Sequence, residues 1–135
     1  MRKLILTSFS IAIIISAVLC AGNPIPESRG NHNQPALVHT VMFSLRSPVD
    51  SLATKEFLAD GKRILSSIPG VNDFKVSRQV SKKNNFQFGF SMVFTNMEGF
   101  QNYLVHPLHE QFVKERWETE VVSFLEADYI PWNPQ

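Results

Sequence analysis

The sequence predicts an α+β fold in which one four-stranded antiparallel sheet carries its helices on a single face. Three observations predict it. Segments of two-residue apolar period occur at 37–46, 71–80 and 86–95, with a further apolar stretch around 124–129. Helix-period segments separate the first strand from the second and the third from the last. The 135 residues, 44% of them hydrophobic, suffice for one core and not for two full-sized domains. The formal charge is +1, from 13 Lys and Arg against 12 Asp and Glu. No basic field is therefore available to concentrate nucleic acid.

Arg2 and Lys3 precede an uncharged run from Leu4 to Leu19, the grammar of a secretory signal peptide. The run is shorter than the about 20 apolar residues of a membrane span, and Thr7, Ser8, Ser10 and Ser16 interrupt it. Cleavage after Ala21 is expected, which gives a leader of residues 1–21, an exported protein (periplasmic or extracellular) and no membrane span in the mature chain. Cys20, the single cysteine, stands where a lipoprotein would carry its acylated residue, but Val18 and Leu19 before it match that motif weakly. It is read as a passenger of the leader, which leaves the mature chain no disulfide and no thiol nucleophile. Residues 22–36, with three prolines and two glycines, read as a polar linker in which His32 is solvated.

Leu37, His39, Val41, Phe43 and Leu45 alternate with Val38, Thr40, Met42 and Ser44, the period of a strand with one more apolar face. After Ser47-Pro48, Asp50 or Ser51 caps a helix whose expected inner positions are Ala53, Phe57, Ile64 and Ile68, stopped by Pro69-Gly70. Gly61 costs that helix about 1 kcal/mol relative to alanine and is read as a hint of space. The second strand is expected over 71–80 with Phe74, Val76 and Val80 on one face, followed by a polar turn at 81–85. Phe86, Phe88, Phe90, Met92 and Phe94 then share one face of the third strand. Burying each such side chain contributes about 1.5–3 kcal/mol, so helices must cover that face.

Met97 to Val105 predicts a short helix presenting Phe100 and Leu104. His106-Pro107 breaks it, because a residue before proline avoids the helical region, and Pro107 starts another. Leu108, Phe112, Trp117 and Val121 are its expected inner positions. Phe124, Leu125 and Tyr129 mark a last strand, and residues 131–135 a tail. The resulting order, strand, helix, strand, strand, helices, strand, is that of a ferredoxin-like α+β fold. Helices on one face leave the other open. Val38, Met42 and Val93 fall there, and a homodimer whose two sheets close into a dimeric α+β barrel is the simplest cover.

Three stretches also carry a resemblance: Leu37-Val38-His39-Thr40-Val41-Met42-Phe43, the turn Ile68-Pro69-Gly70-Val71, and Tyr103-Leu104-Val105-His106-Pro107-Leu108-His109-Glu110-Gln111-Phe112. Over 37–130 the chain resembles the stress-responsive A/B barrel, or Dabb, family, and His-Pro-x-His after a short helix is the most specific part. The resemblance implies a ferredoxin-like dimeric barrel and no single activity; plant members include stress-associated proteins and a polyketide cyclase. On the cyclase pattern, Tyr103, His109 and His39 take the site positions. A further histidine of that pattern falls at Phe88, and a bulky aromatic falls at Gly61.

In the enzyme reading His109, third residue of the helix begun at Pro107, is kept neutral by the positive helix end and acts as base. Tyr103 donates a hydrogen bond to the enolate that forms, and His39 supports them. The bland reading lets the histidines satisfy backbone groups at a helix junction, with His106 capping the helix. A metal reading on His39, His106 and His109 is outweighed, since neither a cysteine nor H-E-x-x-H spacing supports it, and no cofactor is expected. Phe57, Leu58, Gly61, Phe88, Phe90, Met92, His106 and Phe112 are the expected ligand-facing positions. Two functions remain: a barrel that binds a small apolar or aromatic molecule, with cofactor-free lyase or cyclase chemistry if it is an enzyme, or a non-catalytic stress-protection or assembly protein of the cell envelope.

Overall fold

The computed structural model describes residues 36–132. The leader with Cys20, the linker up to residue 35 with His32, and residues 133–135 lie outside the described residues. The elements are β1 (Leu37–Leu45), α1 (Leu52–Leu65), β2 (Asn72–Arg78), β3 (Phe88–Phe94), α2 (Met97–Leu104), α3 (Pro107–Phe112) and β4 (Val121–Tyr129). A π-helical turn, Val113–Trp117, and a short α-turn, Glu118–Glu120, continue α3 to the start of β4. The strands form one antiparallel sheet in the order β2-β3-β1-β4. This is the ferredoxin-like α+β arrangement that the sequence predicts.

Register arranges the inner face in rows across the sheet. Phe43 stands opposite Phe88 and Phe124, Val41 opposite Phe90 and Glu126, and His39 opposite Met92 and Asp128. Phe88, Phe90, Met92 and Phe94 are all buried, so the one-sided strand of the sequence is the floor of the core. Phe43 meets Phe57 of α1 at 5.8 Å between ring centroids and Phe90 at 4.8 Å, edge to face.

Helix α1 starts at Ser51, whose Oγ accepts from the Thr54 amide at 3.2 Å. Its buried stripe is Thr54, Phe57, Gly61 and Leu65, one position round from the expected Ala53 and Ile64. Ala53 has little to bury and is exposed, whereas the Thr54 hydroxyl donates to the Pro48 carbonyl at 3.0 Å and so enters the core satisfied. Ile68 is buried as expected. After it Gly70, at φ 91°, takes the left-handed turn position that an L side chain avoids. Strand β2 ends at Arg78. Val80, expected on its apolar face, is 89% exposed in the loop beyond, which Gln79 turns by bonding Ser81 and Asn84.

Asn96 caps α2 through the Gly99 amide, and the helix buries Phe100 and Tyr103. Tyr103, three residues after Phe100, packs its ring 5.2 Å from Phe94, which leaves the expected Leu104 one step round and partly exposed. From Phe112 to Trp117 the inward positions are five residues apart, a spacing that an α-helix would rotate off its face. The π-turn, in which the Glu118 amide reaches the Val113 carbonyl, restores Trp117 to the core side, 5.0 Å from Phe43. Val121, expected on this helix, instead opens β4. On the outer face Val38 pairs with Val93 and Tyr129, and Met42 with Leu125. The outer face of the sheet therefore carries the apolar row that the strand pattern predicts.

Candidate functional site

Between the inner face of β1, β3 and β4 and the layer of α2, α3 and the π-turn lies a cavity of about 370 Å³. Val41, Phe90 and Met92 from the sheet and Phe112 and Trp117 from the helical layer make it mainly apolar. Its polar members are His39, Tyr103, His109, Glu118 and Glu126.

The local sequence explains how each histidine arrives. His106 precedes Pro107, takes an extended backbone and uses its Nδ1 to accept from the Leu108 amide at 3.2 Å. That caps α3, as the bland reading expects, and His106 stays out of the cavity lining. Three residues later, His109 turns its ring onto Tyr103, with centroids 4.5 Å apart. Its Nδ1 lies 3.0 Å from the Leu104 carbonyl oxygen, which only accepts, so Nδ1 carries the proton and Nε2 keeps its lone pair. Burial holds the His109 pKa below 6.5, aided by the nearby His39, while the Leu104 carbonyl, Glu126 and Glu110 act the other way. Desolvation is thus the main cause that keeps this imidazole neutral. Burial also pushes the Tyr103 phenol well above its ordinary 10, with the charge of Glu126 adding to the shift, so the hydroxyl remains a donor at neutral pH.

His39 comes from the middle of the sheet and is 5% exposed. Its ring packs 5.2 Å from Phe100 and 6.1 Å from Tyr103. Strand register places Asp128 beside it, and Nδ1–H donates to Asp128 Oδ1 at 2.7 Å, with Glu126 Oε1 at 3.7 Å. A carboxylate accepts only, so here too the Nδ1 proton is fixed.

Of the expected site residues, His39, Tyr103, His109, Phe90, Met92 and Phe112 line the cavity together. Phe57, Leu58, Gly61, Phe88 and His106 lie outside its lining. Gly61 marks contact where space was expected: a Cβ there would stand 2.6 Å from Phe90 Cζ and 3.3 Å from Phe112 Cζ. The rings occupy the room that the missing side chain leaves. Nor do the three histidines form a common ligand set. Among the described residues the donor atoms that gather, within 4.8 Å of one another, are those of His39, Glu126 and Asp128.

Sequence reading missed Glu118, Glu126 and Asp128. A signal for two of them existed: Phe124, Glu126 and Asp128 alternate with Leu125, Ala127 and Tyr129, which puts both acids on the face of Phe124.

This fold and cavity define a class: a ferredoxin-like α+β domain that encloses a small-molecule-sized space edged by two imidazoles and a phenol. Its family follows from sequence, for the model of the stress responsive A/B barrel domain, Dabb, matches residues 37–131, and the chain belongs to that family. A Dabb family protein of Mesorhizobium loti with a ferredoxin-like fold is 46% identical with a TM-score of 0.73, covering 74% of this chain and 100% of its own. Olivetolic acid cyclase of Cannabis sativa is 24% identical over 103 residues, which cover 71% of this chain and 97% of the cyclase. Hydroxynitrile lyase of Passiflora edulis shares the fold at 16% identity and a TM-score of 0.65, covering 75% of this chain and 97% of its own. Other matched ferredoxin-like structures are described as dimeric.

Proposed function

We propose that this chain is an exported, homodimeric Dabb protein that binds a small apolar or aromatic molecule in the cavity and performs cofactor-free lyase or cyclase chemistry on it. The observation that carries the reading is the meeting of Tyr103, His109 and His39 on one apolar cavity of about 370 Å³. A space of this size suits a small molecule and strengthens polar contacts by excluding water. His109 Nε2, unprotonated at neutral pH, removes a proton from a carbon next to a carbonyl. Tyr103 stabilises the resulting enolate oxygen by a hydrogen bond, and His39, fixed by Asp128, holds the second polar edge. The distant likeness to a cyclase supports this class of chemistry. Export rests on the leader pattern of residues 1–21. Dimerisation is supported by the exposed outer-face residues Leu125 and Tyr129 and by the dimeric relatives.

The test is native mass spectrometry of the purified protein and of His109→Ala. A dimer that retains a small molecule, lost in the variant, supports the proposal. A ligand-free protein that binds no small aromatic added in excess favours the assembly role, and a monomer at micromolar concentration removes the dimer.

A further inference from the structure

Resting on the reading of this cavity as a binding site, we infer that it selects by charge: it takes apolar molecules with a neutral or cationic head and excludes carboxylates and phosphates, with Glu126 setting the sign. Among the described residues no lysine or arginine lines the cavity, whereas Glu118 and Glu126 both do. Glu126 lies opposite Val41 on the inner face of β4, and its carboxylate stands 3.7 Å from His39 Nδ1. Its charge is felt at both Tyr103 and His109.

The cations nearby do not line the cavity. Lys114 lines an adjoining shallow depression together with Glu110 and Glu118. Arg116, on the π-turn, pairs with Asp60 and Glu120 and lies over the Phe57 ring. His109 is uncharged at neutral pH, and a proton on His39 would already be matched by Asp128 at 2.7 Å. An entering anion would give up its hydration for a site that offers no counter-charge and two charges of its own sign. An alcohol or an amine instead finds acceptors in the Glu126 carboxylate and His109 Nε2. Discrimination thus comes from repulsion of the wrong head as much as from attraction of the right one.

Isothermal titration calorimetry of the purified protein at neutral pH with three matched probes tests this: para-propylbenzyl alcohol, para-propylbenzylamine and para-propylbenzoate. The expected result is binding of the alcohol and the amine, with the benzoate at least about tenfold weaker than the alcohol. In Glu126→Gln, an isosteric change at a partly exposed position, the deficit of the benzoate relative to the alcohol shrinks by about fivefold or more. Benzoate binding equal to that of the alcohol overturns the charge selection and leaves the binding site standing. An undiminished deficit in Glu126→Gln overturns the assignment to that residue. Failure of all three probes to bind overturns the binding-site reading and this inference with it.

Discussion

The two ends of the space between sheet and helices are built from the same alternating strands and finish differently. Under α1 the rings of Phe43, Phe57 and Phe90 touch, and a glycine is needed to let Phe90 and Phe112 approach the helix. Toward β4 the helical layer covers less. Phe124, on the same inner row as Phe43, is 55% exposed, and the next inward positions are the acids Glu126 and Asp128. One end spends its apolar surface on close packing. The other keeps a cavity in which one buried and one half-buried imidazole stand beside half-exposed carboxylates. Stability is therefore expected to reside at the packed end and chemistry at the open one.

The largest effect that would test this contrast is Phe43→Ala, whose side chain is fully buried among four aromatic neighbours. A loss of about 3–5 kcal/mol is expected in urea unfolding, and a loss below 1 would show that the packed end is not the source of stability. Gly61→Val drives a side chain into Phe90 and should cost about 1–3 kcal/mol by the same measurement. A neutral outcome would mean that the rings move aside and the tight contact is dispensable. Smaller still, His106→Ala removes the α3 cap at a cost of about 0.5–2 kcal/mol, without altering which probes bind. At the open end, His109→Phe should leave unfolding free energy within about 1 kcal/mol while abolishing whatever ligand exchange the wild type shows.

The His109 imidazole supplies a pH test of the same contrast. Its folded pKa lies below its unfolded value of 6.5, so the folded state binds fewer protons as pH falls through that range. Stability should decline on acidification below 6.5, and His109→Phe should flatten that decline. An NMR titration that places the His109 midpoint above 6.5 would contradict the half-buried, neutral imidazole.

The packed end was legible in the sequence because Phe88, Phe90, Met92 and Phe94 share one face of β3 while the other carries Gly89, Ser91 and Val93, and a face of four large side chains has a single way to be buried. The start of α3 was legible too, since Pro107 forces a break whose preceding residue is available to cap. Helix α1 was misread by one position because Thr54 reads as polar until its hydroxyl finds the Pro48 carbonyl. The open end was harder. On β4 both faces mix apolar and other residues, so neither is marked as inward, and the partnership of Asp128 with His39 depends on a cross-strand register that no local pattern encodes. The π-turn lay in plain view as the five-residue step from Phe112 to Trp117, both expected on the inner side of a single helix.

That step makes the wall of the cavity sensitive to chain length as well as to side-chain identity. Held in regular α geometry with all five residues kept, the step would carry the indole of Trp117 about 100° around the helix axis toward solvent, whereas deleting Lys114 would leave a four-residue step that regular α geometry keeps on the Phe112 face. One codon lost at this turn would thus leave the cavity wall in place, whereas one gained within a regular helical stretch would turn the residues beyond it by about 100°, a form of variation that substitutions alone do not sample.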